Sequence, residues 1–487
     1  MTLTAAICAV DIGTSEIRAA LVSESGQHLS EIAFIRSLEQ QQPTFNPEEL
    51  WSDVVGVLRF LVVDQPDVRI KNVSVTCHIG QVILNGKGVV LTDVGGWADT
   101  RGANVFQNRM SGSSQILHTA GKPSFTGGAV PLLCWLKECH PELYREVHCV
   151  LAPKDFINFR LTGSMSTDPT SAAYTFGYDV RKRAWDYELI SRSGLDSVVF
   201  PKVISSTEIM GQVTRQISEM IGLPEGTPVV SGAPDGTLGA AVLIGVNEGV
   251  IADIAGTTDV VMRVTKTLAG LGTQSVVINP YIVPDCWSYG GSTGLTGGAT
   301  AYWSRLLGFE NVSSAMGAFG AKMDSIPAGS EGLMMSPFLS GSRFPTWNPD
   351  ERGAIWGLDT KHGSAHLLKA SYESASFAVR EAVEQFPLIT EVRSDIYLGG
   401  GIVRSKHIVQ MRADILGRKL FASTESNLSL QGAAVLGLTA EGIYASFEEA
   451  RATMKSELEV FVPDETRSQM YDDLFETWRV LRKKFVD

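Results

Sequence analysis

Two stretches of this chain carry nearly the same message. Residues 9–22 read AVDIGTSEIRAALV and residues 251–264 read IADIAGTTDVVMRV. Each sets an Asp behind an apolar run, then Gly and hydroxyl residues, then a second apolar run. Asp11 and Asp253 stand 242 residues apart in a chain of 487. A chain this long exceeds one compact core, and a motif repeated at half-chain spacing argues for two large, similar units.

Around the first copy, AAICAV is a short apolar run stopped by DIGTS, and IRAALVSESGQ reads as a second strand. The result is a hairpin with Asp11, Gly13, Thr14 and Ser15 at its tip. Gly13 has no Cβ, so the backbone N–H groups of such a tip can approach a phosphate closely. The second copy predicts an equivalent hairpin at Asp253, Gly256, Thr257 and Thr258. Facing each other across a cleft, the two tips would grip one polyphosphate from both sides. For either copy alone a plain turn between strands is the simpler account; the repetition argues against it for the pair.

Composition narrows the classes of partner. A net charge of −12 argues against a nucleic-acid surface, which needs clustered Lys and Arg. It leaves a nucleotide open, since backbone N–H groups and a metal can hold phosphates. No apolar run approaches the ~18 residues needed to span a bilayer, and the N-terminus reads as a first strand rather than a signal peptide. The six cysteines form no C-x-x-C and sit mostly in apolar runs, which predicts buried free thiols and a cytoplasmic protein.

Along the chain, NPEELWSDVVGVLRFLVVD reads as an amphipathic helix with an acidic first turn after Pro47, and HLLKASYESASFAVREAVEQF has apolar residues at 368, 372, 375, 379, 383 and 386, a helical spacing. Strand patterns restart near residue 245, which divides the chain into 1–245 and 246–487. Just before that point, TPVVSGAPDGTLGAAVLIGV (227–246) runs from strand through a Gly-Ala-Pro turn to a small-residue helix. An Asp at such a junction is usually an N-cap; Asp235 could instead reach into the cleft and accept a proton from an attacking hydroxyl. Gly399, Gly400 and Gly401 follow another strand and either let a flat ligand lie on bare backbone or make a tight packing turn. Neither a P-loop nor a G-x-G-x-x-G fingerprint is present.

These pieces together resemble the FGGY family of carbohydrate kinases. The resemblance runs through DIGTS (11–15), WADTR (97–101), PKDFINFRLTGSMSTDPTSA (153–172), GAPDGTLGA (232–240), DIAGTTDVV (253–261), STGLTGGATAYW (292–303), PFLSGSRFPTWNPDERGAIWGL (337–358) and GGGIVRSKHIVQMRADILGR (399–418), in family order. It implies an α/β fold of two actin-like ATPase (ribonuclease H-like) domains of the sugar kinase, actin and Hsp70 type around a central cleft. It implies ATP and Mg2+ as cofactors, a small carbohydrate as acceptor, and room for a homodimer. By that similarity Asp235 is the catalytic base and Asp11 the Mg2+ residue. Gly13, Thr14, Ser15 and Arg18 surround the phosphates on one side, Gly256 and Thr257 on the other, and Gly298, Gly400 and Ser405 line the nucleotide.

The substrate pocket departs from the family pattern. Where relatives carry a Q-M-H-G-like stretch, this chain has Cys77-His78-Ile79-Gly80, so His78 stands at the Gln position and Gly80 at the His position. Gly236 follows the base, Ser342 replaces a Glu, and Glu16 replaces a hydroxyl residue. His78 is a candidate sugar contact or an ordinary hydrogen-bonded histidine. Trp97 borders the candidate pocket, and Asp99 and Arg101 either join it or form an internal ion pair. The expected reaction is transfer of phosphoryl from MgATP to a hydroxyl of a pentulose, polyol or sugar acid. The alternative is a catalytically weak sensor of sugar or nucleotide on the same scaffold.

Overall fold

The computed structural model describes residues 4–14, 16–36, 44–96, 99–110, 119–123, 128–268, 277–386, 395–425, 427–454 and 456–486. Two large sheets organise it. The six-stranded sheet has the spatial order Ile209–Gln212, Pro228–Val230, Val68–Cys77, Thr4–Ile12, Glu16–Ser23, His28–Ile35. The seven-stranded sheet has the order Ile278–Pro280, Trp287–Ser292, Asp259–Thr265, Val250–Ala255, Asp395–Gly400, Leu420–Ser423, Leu458–Phe461.

The sheets repeat one plan. Thr4–Ile12 pairs antiparallel with Glu16–Ser23, which pairs antiparallel with His28–Ile35. On its other side Thr4–Ile12 runs parallel to Val68–Cys77, then Pro228–Val230, with Ile209–Gln212 antiparallel at the edge. Val250–Ala255 repeats each relation: antiparallel to Asp259–Thr265, then Trp287–Ser292, and parallel to Asp395–Gly400, then Leu420–Ser423, with Leu458–Phe461 antiparallel at the edge. The chain reaches the last edge before Pro228–Val230 in one sheet and after Leu420–Ser423 in the other. The central strands are buried on both faces, as residues 6–12 show, and their uninterrupted apolar runs follow from that burial.

Between the sheets lie the helices Asp235–Ile244 and Leu428–Ala440, each buried nearly all round. Glycine brings them close: a Cβ added to Gly432 would lie 2.8 Å from Leu238 Cβ. Leu428–Ala440 also lies against the six-stranded sheet, where a Cβ on Gly437 would meet Ile7 at 2.3 Å and Asn72 Nδ2 donates to the Gly437 carbonyl at 2.9 Å. One apolar cluster therefore joins Ile7, Ala9, Ala20 and Val22 to Leu238, Ala252, Met262 and Val435.

The helices expected from periodicity form at Pro47–Asp64, capped by the Asn46 side chain, and at Ser364–Val383. No helix among the described residues is long and apolar enough to cross a membrane. All six cysteines are free; five are buried and Cys139 is exposed.

Candidate active site

The loops that follow the parallel strands of the two sheets converge on a cavity of about 430 Å³. The first hairpin contributes Asp11, Gly13, Thr14, Glu16 and Arg18 to its walls, and the second contributes Ile254, Ala255, Gly256, Thr257 and Thr258. Asp235 enters from the start of the helix between the sheets, and Gly400, Gly401 and Arg404 from the turn after Asp395–Gly400.

In the first tip Gly13 N–H donates to the Glu16 carbonyl at 2.9 Å, and a Cβ there would sit 2.9 Å from that oxygen. Arg18, directly across the hairpin from Asp11, reaches it at 4.0 Å and pairs with Glu16. Asp11 is 6 % exposed. Burial, then the neighbouring Asp235 charge, push its carboxyl up to about 7 against the pull of Arg18. Ser15 and Trp97 lie outside the described residues.

The second hairpin corrects the sequence correspondence between the two aspartates. The first loop bridges Ile12 to Ile17 and the second bridges Ala255 to Asp259, so the strand position of Asp11 is matched by Ile254, not Asp253. Side chains alternate faces along a strand, so a one-residue slip reverses direction. Ile254 accordingly lines the cavity, while Asp253 is fully buried and bound to Arg412 Nη1 at 2.8 Å. The same nitrogen binds Asp259 at 2.7 Å. Arg412 thereby fastens both strands of the hairpin to the helix Lys406–Leu416. The loop is closed from beneath: Gly298 N–H donates to the Thr257 carbonyl at 2.8 Å, and a Cβ on Gly297 would lie 2.0 Å from the Gly256 oxygen. Gly298 thus braces the loop and is not among the residues that line the cavity.

Asp235 sits on a turn held by buried groups from two other elements, the strand Val68–Cys77 and the helix Pro153–Thr162. Thr76 Oγ1 donates to the Ala233 carbonyl at 2.7 Å, Lys154 Nζ to the Ser231 carbonyl at 3.0 Å, and Asn158 Nδ2 to the Val230 carbonyl at 3.1 Å. Lys154 is itself paired with Asp155 and with Asp168 at 3.0 Å. This gives the PKD and DPTSA segments a physical role: they anchor the turn. Gly232 takes a positive φ of 79° where a Cβ would lie 2.1 Å from the Val75 oxygen. Asp235 Oδ1 accepts from its neighbour Gly236 N–H at 2.6 Å, and burial raises its carboxyl above the usual range.

His78 lines the same cavity and is 5 % exposed. Its Nδ1 lies 3.2 Å from the Ile79 carbonyl; since a carbonyl only accepts, the proton is on Nδ1 and Nε2 carries the lone pair. Nε2 has no hydrogen-bond partner among the described residues. Burial pulls the ring down to about 4, so it is neutral at pH 7. Asp99 and Arg101 form the internal ion pair, at 2.7 Å.

Several lining residues escaped the sequence reading. Lys122, Tyr174, Asn279 and Arg343 share one wall. Lys122 Nζ donates to the Ala173 carbonyl at 2.8 Å and to Asn279 Oδ1, and stands 4.4 Å over the Tyr174 ring. Asn279 Nδ2 in turn donates to the Tyr174 hydroxyl at 3.2 Å. Residues 122, 174 and 279 come together only in three dimensions, and no spacing signals them. Of the three glycines, Gly399 and Gly400 are packing positions, whose Cβ atoms would meet Leu428 at 2.1 Å and the Ala255 oxygen at 2.4 Å. Gly401 has open space before it. Ser405 stands half-buried just before Lys406–Leu416 and is not among the lining residues.

Asp11 Oδ1 is buried with no hydrogen-bond partner among the described residues. No group of three His, Cys, Asp or Glu side chains suited to a metal occurs among the described residues. One carboxylate oxygen beside a polar cavity fits a hydrated Mg2+, which takes most of its ligands from water and phosphate.

Comparison with known proteins agrees with this architecture. A model of the N-terminal domain of the FGGY family of carbohydrate kinases matches residues 6–242, and one of its C-terminal domain matches 252–441. The chain is 26 % identical to the xylulose kinase of Bacillus subtilis (strain 168), covering 97 % of this chain and 96 % of that one. It is 25 % identical to the gluconokinase of the same organism, with 92 % and 90 % covered. Its fold superposes on the gluconate kinase of Lactobacillus acidophilus with a TM-score of 0.87 at 23 % identity, covering 99 % and 98 %.

Proposed function

Because this chain belongs to the FGGY family of carbohydrate kinases and has its two-part, actin-like α/β fold, we propose that it transfers the γ-phosphoryl group of ATP to a hydroxyl of a small carbohydrate, with Asp235 as the base. The observation that carries this reading is a single cavity lined by Asp11, Gly13 and Thr14 from one hairpin, Gly256 and Thr257 from its counterpart, and Asp235 between them.

In this reading the acceptor hydroxyl gives its proton to Asp235 as its oxygen bonds to phosphorus, and the bond from phosphorus to ADP breaks. Asp235 Oδ1 already accepts from Gly236 N–H, which leaves Oδ2 for the proton. Burial of the carboxyl makes it a stronger proton acceptor than an exposed Asp. The backbone of residues 13–15 and 256–257, with Arg18, would position the phosphates, and phosphoryl transfer depends mainly on such positioning and charge neutralisation. Asp11 would hold Mg2+ through water, and the cation, when bound, neutralises phosphate charge. Gly298 supports the second loop from behind, Gly400 and Ser405 flank the turn assigned to the nucleotide, and His78 Nε2 would accept from a sugar hydroxyl.

Division at 245/246 accompanies the reading: 1–245 would carry the sugar site, first loop and base, and 246–487 the second loop and adenosine site. The free cysteines support a reducing, cytoplasmic setting. A coupled ADP-release screen over pentuloses, hexuloses, polyols and aldonates, with and without Mg2+, tests the proposal. Acceptor-dependent ADP release supports it; ligand binding with no release above background would instead favour the sensor.

A further inference from the structure

The cavity's charge is uneven in a way that transfer to a neutral sugar does not require. Among the described residues, the acids on its walls are Asp11 and Glu16, in the first hairpin, and Asp235. The wall of Lys122, Tyr174, Asn279 and Arg343 carries two cations and no acid. Lys122 is 3 % exposed, is held by two oxygens that carry no net charge, and burial, with no acidic group among the described residues to offset it, pulls its ammonium down to about 7. A buried ammonium without a counter-ion is costly to maintain. Arg343 lies on the same wall close to the Tyr174 hydroxyl, and Tyr174 also senses the charge of Asp235. This cationic wall therefore borders the base.

The wall is prebuilt from both halves of the chain. Ile278 N–H donates to the Gly121 carbonyl at 2.8 Å, which fixes Lys122 beside Asn279. The Tyr174 ring and Asn279 then set the direction of the ammonium. Resting on the kinase reading above, we propose that the acceptor is a sugar acid, its carboxylate bound by Lys122 and Arg343 while a hydroxyl at its other end meets Asp235. The bound carboxylate supplies the missing counter-charge, so the cost of burying Lys122 is recovered on binding and selects against neutral sugars of the same size.

Steady-state ADP release by the wild-type protein with gluconate and xylonate, against xylulose, ribulose and xylitol, tests this without any substitution. The acids should exceed every neutral acceptor in kcat/KM by about tenfold or more. Lys122→Met, with its fold verified by thermal melting, should raise KM for the acid by about 100-fold and so abolish the preference for acids over neutral acceptors in kcat/KM. Calorimetric titration of gluconate into the nucleotide-free protein should show binding that Lys122→Met abolishes. Preference for a neutral sugar overturns the assignment while leaving the kinase reading intact. Lys122-dependent gluconate binding with no transfer to any acceptor keeps the carboxylate site and overturns the kinase reading. Absence of both overturns both.

Discussion

Asp235→Asn separates chemistry from binding at this site. The variant retains the turn, because Thr76, Lys154 and Asn158 hold backbone carbonyls of residues 230–233 and touch no atom of the substituted side chain. The Asn carbonyl can still accept from Gly236 N–H, as Oδ1 does at 2.6 Å. What changes is the other position, where an NH2 donor replaces the oxygen that would take the hydroxyl proton. A positioned base contributes about 10²–10⁴ in rate, or about 3–5 kcal/mol at 1.36 kcal/mol per decade. Nucleotide binding should not fall. The charge of Asp235 helps hold the Asp11 carboxyl up, so its removal leaves Asp11 more readily ionised and MgATP bound as tightly or more so. Coupled ADP release gives kcat, and titration with a non-hydrolysable ATP analogue gives Kd. We expect kcat to drop about 10³-fold with Kd unchanged or lower. Turnover within about tenfold of wild type would remove Asp235 from the mechanism, and a parallel loss of nucleotide affinity would show that the substitution had collapsed the site.

Arg412→Met leaves two buried carboxylates, Asp253 and Asp259, without their cation and should cost about 3–5 kcal/mol, a fall in melting temperature of about 10 °C; a fall below about 2 °C would refute the strut. Gly232→Ala forces a Cβ to 2.1 Å from the Val75 oxygen at a φ of 79°, so the turn bearing Asp235 must shift; kcat should drop about 100-fold with little change in nucleotide Kd, and wild-type kcat would show that the turn tolerates displacement. His78 is pulled from 6.5 to about 4 by burial, so between those pH values the unfolded chain binds the extra proton and stability is lost as pH falls. That loss reaches about 3 kcal/mol and should be missing from His78→Gln, whose stability difference from wild type must therefore change between pH 7 and pH 4 in denaturant titrations; a constant difference refutes it.

Much of the site was readable in one dimension because it is built from short local units. Gly13 and Gly256 mark tips whose backbone alone makes the hydrogen bonds, so composition and spacing suffice to find them. Asp235 was legible as the polar residue ending a strand–turn–helix junction. Other features were not. Periodicity carries no information on a loop one residue longer, so the sequence alignment of Asp11 with Asp253 missed the slip that turns the second aspartate toward Arg412. Gly298 and Ser405 matched family positions, yet one braces a loop and the other precedes a helix, a distinction that depends on which neighbour each meets.

By itself the sequence determined the duplication, the strand and helix periods and the polar residues at loop tips, because these follow from local alternation of apolar and polar side chains and from where backbone can turn. Tertiary structure alone decided that the helix Leu428–Ala440 lies against the other half's sheet, through the close approach at Gly437, and that Lys122, Tyr174, Asn279 and Arg343 form one cationic wall. Long-range packing sets those neighbours, and burial, which gives Lys122, His78 and Asp11 their ionisation behaviour, exists only once the chain has folded around them.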